Sequence, residues 1–453
     1  MTYRTSSATR AATSHPLLHA LLFAAVLSPT ADAASAAGES PADDGFAVYG
    51  QGTSVTQNTP SFQAPYSGQN SLKPRHDTQE TTDLTLYVGH RLWHGAEGWV
   101  NAEVDQGFGL SNTVGVAGFP SGEAYKVGAS TPYLRLPRAF VRQTIPLGGA
   151  TQPIAAAGNQ MAGETTSDQL VLTVGKFSVV DIFDTNAYAH DPRGDFLNWS
   201  VIDAGAFDYA ADAWGYTYGA AAEWSRSWWT LRAGLFEMSP VPNGKVVKVD
   251  FSARMAVLEW EVRHDWAGQP GKLKLLAFSN RAAMGSYRDA VRLGQQLGVA
   301  PDTAPVRRRA SRAGLALNAE QDLSPDLGLF ARASANEGGK EAYEFTEINR
   351  SLSAGLQLKG RAWGRADDKA GVAAVVNGLS HAAREYFSAG GTGILIGDGR
   401  LRYGSENILE LYYAMRLLPA VAVSMDYQHI GNPAYNRDRG PVSVWGLRLH
   451  GEF

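Results

Sequence analysis

The strongest constraint on this chain is a pattern of about ten residues in which apolar and polar side chains alternate, and which recurs along most of the sequence. In the last such stretch, VSVWGLRLHGEF, Trp445, Leu447 and Leu449 occupy alternate positions, and Arg448 and His450 fall on the other face. Successive side chains of a β-strand point to opposite faces, whereas a helix repeats every 3.6 residues. The alternation therefore predicts strands with one apolar and one polar face.

Segments with this pattern predict sixteen strands. Their ranges are 46–57, 82–93, 97–107, 137–147, 168–178, 213–224, 228–238, 252–264, 272–281, 311–321, 327–336, 352–362, 369–378, 406–415, 420–430 and 442–453. Short and long connections alternate between them, except that 148–167 is long where a short turn is due. An even strand number with this alternation is typical of bacterial outer-membrane barrels, whose turns are periplasmic and whose loops are extracellular. We therefore expect an all-β fold, a transmembrane antiparallel β-barrel.

The polar faces of these strands favour a wet interior over a dry core. In MAVLEWEVRH, the polar face carries Glu259, Glu261 and Arg263, and elsewhere isolated charges of both signs lie among Gly, Ala and Ser. The inner face of a soluble β-sandwich is instead apolar. After residue 33, no apolar run approaches the roughly 20 residues that a spanning helix needs, which excludes a helical membrane protein.

The first residues predict export. Arg4 and Arg10 precede the apolar run LLHALLFAAVL, and Ala31 and Ala33 have the A-x-A spacing of a cleavage site. These are the parts of a secretory signal peptide. We expect a signal peptide at 1–33 and one barrel domain at 34–453. Cysteine is absent, so disulfides and thiolate sites are excluded, and a net charge of −4 argues against a nucleic-acid partner.

Two long segments, 105–145 and 172–224, resemble the carbohydrate-selective porin family, the OprB-type outer-membrane porins. The most specific part is GKF at 175–177, followed by DTN at 184–186 and DFLN at 195–198. The resemblance implies a sixteen-stranded barrel with a water-filled pore, narrowed by extracellular loops that fold inward and carry charged residues. It also implies passive diffusion of monosaccharides and related polyols, with no enzymatic activity and no cofactor or metal.

Candidate solute contacts cluster in the long connection 179–212 and in the one before it. Selecting a neutral sugar in water requires hydrogen-bond donors and acceptors, with flat apolar surfaces for the ring faces. Side chains of these types also tie loops to a barrel wall, so both roles stay open. The candidates for the pore constriction and sugar contact are Asp184, Asn186, His190, Arg193, Asp195, Asn198, Trp199, Asp208, Arg138, Arg142 and Glu123, and the second long connection also carries Tyr125 and Lys126.

A second group of charged residues lies on the polar faces of predicted strands. They are expected to line the lumen, either as an ion-pair ladder or as solute contacts. Two of them, Glu259 and Glu261, would be about 6.6–6.8 Å apart along one strand face, which is near the carboxyl separation of inverting glycosidases. An exported glycoside hydrolase or a carbohydrate-binding β-protein therefore remains the alternative. The predicted lumen-lining residues are Glu223, Arg232, Glu259, Glu261 and Arg263.

Other features indicate partners besides small carbohydrate solutes. Aromatic residues near strand ends predict girdles in contact with outer-membrane lipid, whereas Trp199 and Trp214 are expected to stack on sugar. The run Arg307–Arg309 suggests attraction to lipopolysaccharide phosphates, with a solvated loop as the simpler interpretation. Phe453 at the end of an alternating strand resembles the signal read by the barrel-assembly machinery. The predicted girdle residues are Tyr412, Tyr413, Trp228, Trp229, Trp445 and Phe453.

Overall fold

A computed structural model describes residues 45–124 and 127–453 of the chain. The predicted signal peptide at 1–33 lies outside the described residues, as do Tyr125 and Lys126. Sixteen antiparallel strands form a closed barrel in which each strand pairs with its neighbours in the chain and β16 pairs with β1. The predicted sixteen-stranded barrel is confirmed.

Most strands agree with the predicted ranges to within a few residues. They are β1 Phe46–Thr59, β2 Asp77–Trp93, β3 Ala96–Gly107, β4 Ala129–Ile154, β5 Gly163–Phe177, β6 Thr217–Arg226, β7 Trp229–Glu237, β8 Arg254–Trp266, β9 Gln269–Gly285, β10 Arg307–Ser324, β11 Leu327–Asn336, β12 Arg350–Lys359, β13 Lys369–Gly378, β14 Glu406–Leu418, β15 Val421–Gly431 and β16 Val442–Glu452. Within the described residues, three α-helices lie in the long connections, namely α1 Trp199–Ile202, α2 Tyr287–Leu297 and α3 His381–Ser388. Short 3₁₀ turns occupy Leu110–Asn112, Val179–Asp181, Ala304–Val306, Gly360–Trp363 and Pro433–Tyr435.

The barrel closes at the two ends of the described chain. The backbone N–H of Gly50 donates to the carbonyl of Phe453 at 3.1 Å, and the N–H of Phe453 donates to the carbonyl of Gly50 at 2.9 Å. The Phe453 ring lies over Gly50, where a Cβ would come within 2.3 Å of it. On β16, Trp445 and Leu447 are exposed on the outer face, whereas Arg448 is buried inside. The final strand thus closes the barrel by pairing with β1.

One rim of the barrel carries the short connections and both ends of the described chain, and the other rim carries the long connections. The segment 148–167, which broke the expected alternation, is mostly strand. The β4 strand continues to Ile154 and β5 starts at Gly163, so only 155–162 connects them. The long segment arises because β4 and β5 extend past their neighbouring strands. The pairing of β3 with β4 ends at Ala96 and Gln143, whereas β4 continues to Ile154.

The outer face of the barrel carries exposed apolar side chains, including Leu258, Trp260 and Leu275. The prediction that Tyr412 belongs to the aromatic girdle is wrong. It lies on the inner face of β14, is 4% exposed, and accepts a hydrogen bond from Gln357 at 2.9 Å. Alternation explains this, since Tyr412 shares the inward face with Glu410. Trp228, Trp445 and Phe453 are exposed, as expected of girdle residues.

The long connections fill much of the inside of the barrel. The connection 178–216, called the inner loop below, buries Phe183, Phe196, Val201 and Phe207 against the wall. Within the described ranges, no helix is both long enough and apolar enough to cross a membrane. The apolar core therefore lies between the inner loop and the inner face of the strands.

Candidate functional site

A β-bulge in β4 brings two arginines to the same face of the barrel wall. Arg135 pairs with Glu103 of β3, and Arg138 pairs with Asn101, so β4 has one residue more than β3 in this interval. In a regular strand, residues three apart would point to opposite faces, and a bulge removes that difference. Leu136 is exposed on the outside, and its carbonyl accepts a hydrogen bond from Lys176 at 3.0 Å.

Both arginines are held by carboxylates and stack on one tyrosine. Arg135 forms ion pairs with Glu103 and Asp105. Arg138 donates two hydrogen bonds to Asp181, at 2.6 and 2.8 Å. The guanidinium carbons of Arg135 and Arg138 lie 5.1 and 5.0 Å from the centroid of the Tyr216 ring. Stacking on an aromatic face fixes a guanidinium while leaving its N–H groups able to donate.

Arg193, on the inner loop, meets the same group from the opposite side. Its Nη2 lies 2.9 Å from an Asp83 carboxylate oxygen and 3.4 Å from one of Glu103. Its Nε lies 3.5 Å from Glu123, and its Nη1 donates to the Tyr87 hydroxyl at 3.3 Å. The loop and the wall are thus joined through one guanidinium. We call this group the arginine cluster, and its members are Arg135, Arg138, Arg193, Asp83, Glu103, Asp105, Glu123, Asp181, Tyr87 and Tyr216.

The charged groups of the arginine cluster differ in exposure. The side chains of Arg135, Arg138 and Arg193 are 14%, 15% and 16% exposed. Those of Glu103 and Asp83 are 1% and 2% exposed. Glu103 and Asp83 thus lie behind the arginines and fix them, whereas the guanidinium groups and the Asp181 carboxylate, which is 28% exposed, reach the lumen. A solute in the lumen would meet arginine donors, the Asp181 carboxylate and tyrosine rings first.

The protonation of the loop members follows from burial and pairing. Burial opposes the charge of Arg193, but the charges of Asp83 and Glu123 outweigh it and raise the pKa of Arg193 further above its already high value. Burial raises the pKa of Glu123, against the opposing charge of Arg193. Arg193 therefore stays charged at all physiological pH values, whereas Glu123 keeps its proton to a higher pH than an exposed glutamate does.

Several predicted contacts in the inner loop are instead buried against protein groups. Asp184 has no exposed surface, and its carboxylate accepts hydrogen bonds from the Ala204 N–H at 2.6 Å and from Asn318 at 2.7 Å. Arg332 lies 3.2 Å from the same carboxylate. Asn186 bonds to Asn318 at 2.8 Å. These residues hold the loop to β10 and β11.

Asn198 and Asp208 have the same anchoring geometry. Asn198 caps α1 by accepting the Ser200 N–H at 3.0 Å, and it donates to Gln428 on the wall at 2.9 Å. Asp208 pairs with the buried Arg312 and accepts the backbone N–H of Tyr343 at 2.9 Å. Asn198 and Asp208 are both fully buried. Their polar atoms are thus occupied by the protein itself.

The remaining predicted loop residues fall at intermediate positions. Asp195 accepts from Gln357 at 3.0 Å and lies 3.4 Å from Lys369. His190 lies 3.6 Å from Asp203. Although burial opposes the charged imidazole, the neighbouring Asp203 carboxylate raises the pKa of His190.

The two tryptophans expected to stack on sugar have different surroundings. Trp199 is 6% exposed and stacks on Phe119 with ring centroids 5.0 Å apart, so its ring is already covered by protein. Trp214 is half-buried beside Arg135, at 5.8 Å from the guanidinium carbon, and donates to the Tyr133 hydroxyl at 3.1 Å. Of the two, only Trp214 adjoins the arginine cluster.

Arg142 lies apart from the arginine cluster, near the short-connection rim. Its Nη1 donates to Glu97 at 2.8 Å and to the carbonyl of Asn159 at 2.7 Å. Phe140 and Arg142 occupy successive inward positions of β4, because the bulge between Arg135 and Arg138 precedes them in the chain. Sequence reasoning grouped it with Arg138, whereas the structure brings it to the β4–β5 connection.

The charged strand residues form a ladder on the inner wall of β6–β9. Arg232 contacts Glu223 and Glu259 at 2.8 Å and Glu261 at 3.0 Å. Arg263 lies 2.8 Å from Glu261. Glu259 is fully buried and also accepts the Asp184 N–H of the inner loop at 2.7 Å. The two carboxylates with glycosidase-like spacing thus both contact the guanidinium of Arg232, and Glu261 also contacts Arg263.

A set of buried wall glutamates escaped the sequence reasoning. Glu410 accepts the backbone N–H groups of Leu197 and Asn198, and Glu406 accepts those of Ala117 and Gly118 at 3.0 and 2.8 Å. They take up donors that would otherwise be unsatisfied in loops folded inside the barrel. A signal was present, since residues 406 and 410 share the inward face of a predicted strand.

Other missed residues belong to the arginine cluster. Asp83 and Tyr87 on β2, and Glu103 and Asp105 on β3, lie on the polar faces of the predicted strands 82–93 and 97–107. The alternation of polar and apolar residues in these strands indicated that the four side chains point into the barrel. Nothing local indicated that two loops meet the wall at this height. Among the residues that the structure describes, no three potential ligands lie together to hold a metal ion.

Comparison with known proteins agrees with this architecture. The model of the carbohydrate-selective porin family, OprB, matches residues 69–453. The high-pH structure of Pseudomonas putida OprB is similar, with 16% identity over 90% of this chain and 94% of that one and a TM-score of 0.69, which supports the barrel fold. Its low-pH structure, with 12% identity over 90% and 93% of the two chains, gives 0.49. The outer-membrane channel DcaP of Acinetobacter baumannii, with 10% identity over 90% and 97%, gives 0.48. No curated sequence shows significant similarity to this chain.

Proposed function

Because the chain belongs to the carbohydrate-selective porin family, OprB, we propose that it is a passive channel through which small neutral carbohydrates, such as monosaccharides and polyols, enter the periplasm. Porins of this family are outer-membrane proteins, and we place this barrel there, with its long connections outside the cell and its short ones in the periplasm. A porin is a channel, which is not an enzyme class, and transport by diffusion makes or breaks no bond.

The observation that carries this proposal is the arginine cluster. A sugar hydroxyl is both donor and acceptor, and it binds well where guanidinium donors and tyrosine hydroxyls lie close together. The C–H face of a sugar ring can pack on an exposed aromatic face. Arg135, Arg138 and Arg193 supply the donors that reach the lumen, and Tyr87 and Tyr216 supply rings beside them.

The same cluster favours neutral solutes over charged ones. Each guanidinium is already paired with a carboxylate at hydrogen-bond distance, so the cluster offers directional donors without an uncompensated positive charge. A charged solute would have to lose hydration at a narrow section without gaining a full counter-charge, which is costly. A neutral polyol exchanges water hydrogen bonds for protein ones at little cost.

The proposal is tested by reconstituting the protein in planar bilayers. We expect stepwise ionic conductance, reduced in a graded way by added monosaccharide. Swelling of sugar-loaded liposomes should be faster with monosaccharides than with trisaccharides. Absence of conductance, together with release of reducing sugar from a polysaccharide, would contradict the channel and favour the hydrolase alternative. An intact barrel should also migrate differently on gels before and after boiling.

Two further partners follow from the same placement. Arg307 and Arg308 pair with Glu341 and Asp289, both within 3 Å, so the arginine run is already partly neutralised. Arg309 is exposed on the outer face of β10. Arg281, on the neighbouring strand β9, lies opposite Ser311 in the strand register and is therefore near Arg309. We propose that Arg309 and Arg281 contact lipopolysaccharide phosphates. We also propose that Phe453 is read by the barrel-assembly machinery before its ring seats on Gly50.

A further inference from the structure

The β4–β5 connection folds back into the barrel from the short-connection rim. Past the ends of β3 and β6, β4 and β5 continue as a two-stranded hairpin, with pairing from Gly148–Asp168 to Ile154–Gly163. Beyond it, residues 155–162, called the hairpin tip, contact the inner wall. The Asn159 carbonyl accepts from Arg142 at 2.7 Å, and the Met161 N–H donates to Glu97 at 3.0 Å.

The hairpin tip reaches the level of the arginine cluster. A Cβ placed on Gly158 would lie 3.5 Å from the ring of Tyr87. The hydroxyl of the same Tyr87 accepts the hydrogen bond from Arg193. Met161 is 7% exposed and belongs to the buried apolar group inside the barrel that includes Trp99. One tyrosine side chain therefore separates the tip from the arginines above it.

The chemistry of the hairpin tip differs from that of the arginine cluster. Ala155, Ala156, Ala157 and Gly158 are exposed, and their side chains are small and without charge or hydrogen-bonding groups. The groups that bond to the wall are backbone groups of Asn159–Ala162, which Arg142, Glu97 and Arg91 hold. Residues 155–158 thus occupy space in the lumen without offering polar side chains to a solute. The polar side chains of the tip are those of Asn159 and Gln160, which are half-buried, and Gln160 donates to the Ala155 carbonyl at 2.8 Å.

We propose that the hairpin tip forms a second constriction on the periplasmic side of the arginine cluster, which sets the size limit for solutes that have passed the arginines. Arg142 and Glu97 position it by bonding its backbone to the wall. This inference rests on the proposed channel function but not on which solute the channel carries. The arginines would then select by hydrogen bonding and the hairpin tip by size.

The chain contains no cysteine, so a single introduced thiol can be modified selectively. We would compare Gly158→Cys with Asp367→Cys, which lies on the exposed β12–β13 connection at the same rim, after reaction with a bulky thiol-specific methanethiosulfonate. With complete labelling checked by mass spectrometry, we expect a partial loss of single-channel current for Gly158→Cys and none for Asp367→Cys. Equal currents before and after labelling of Gly158→Cys would place the tip outside the conduction path and overturn the proposal.

Two further variants make the test independent of labelling. Gly158→Trp should lower conductance without a reagent, and unchanged conductance in this variant would also overturn the proposal. Replacing 155–162 by a two-residue turn should raise conductance and increase the flux of disaccharides relative to monosaccharides in liposome swelling. If these variants change ionic current while no sugar blocks the channel, the second constriction stands and the carbohydrate proposal fails. If sugars block the channel and neither tip variant changes the current or the size preference, the carbohydrate proposal stands and the second constriction fails.

Discussion

Replacing Arg193 by Gln removes one positive charge from the arginine cluster while keeping a side chain of similar length. Its guanidinium bridges Asp83, Glu103 and Glu123 from the inner loop. We expect the barrel to fold, because Glu103 keeps its ion pair with Arg135 and accepts a hydrogen bond from Thr85 at 2.7 Å. The expected effect is on ion selectivity.

The size of that effect follows from Coulomb's law. A monovalent ion passing about 6 Å from the guanidinium, in a medium as polar as water, interacts with it by roughly 0.7 kcal/mol. Loss of this interaction changes the permeability of each ion about threefold, in opposite directions for K⁺ and Cl⁻. The permeability ratio should therefore shift toward the cation by about threefold to tenfold, with the lower value at high salt because of screening.

The assay is the reversal potential in a salt gradient across a planar bilayer. Arg281→Gln is the matched control, because it removes the same charge from an exposed position on the outer face of β9. We expect Arg193→Gln to shift the reversal potential and Arg281→Gln to leave it unchanged. If both variants behave like the unaltered protein while migrating as folded barrels, Arg193 does not line the conduction path and the reasoning is refuted.

Three other changes test separate parts of the structure. Tyr216→Ala removes the ring on which two arginines stack, so monosaccharide should block the current less strongly; unchanged block would argue against sugar contact there. Deleting Phe453 removes the ring over Gly50 and should reduce the fraction of heat-modifiable barrel in the membrane, whereas a normal yield would contradict its role in closure. The pKa of His190 is raised through Asp203, so the charged pair stabilises the inner loop fully below about pH 6.5 and loses this effect as the pH rises through the raised value. Proteolysis of the loop should therefore speed up at high pH, and His190→Gln should abolish that dependence; an unchanged pH profile in His190→Gln would exclude the pair as its cause.

Several residues predicted to contact solute are buried against protein in the structure, because loop anchoring depends on distant residues. Asn198 was an expected sugar contact, but its backbone N–H binds Glu410, which is 212 residues away in the chain. Asp184 looked equally available, yet Asn318 and Arg332 enclose it. Polar loop residues look alike in sequence whether they face water or protein, so only long-range packing separates the two cases.

The bulge in β4 shows the same limit within a strand. Alternation assigns residues 135 and 138 to opposite faces, and the structure brings both inward by inserting one residue opposite β3. Pro137 is consistent with this, since proline within a sheet is confined to edges and bulges. A proline marks where the ladder is interrupted but does not specify which side chains the interruption turns inward.

The sequence by itself determined the barrel, its sixteen strands and the alternation of rims, because a period of two is a local property that each strand carries independently. The family followed from the resemblance of particular segments, such as GKF at 175–177 and DFLN at 195–198. The tertiary structure alone decided which charges face the lumen and that residues 155–162 return into it. These features arise where loops from different parts of the chain meet the wall at one height, since burial and pairing there depend on contacts that no local pattern encodes.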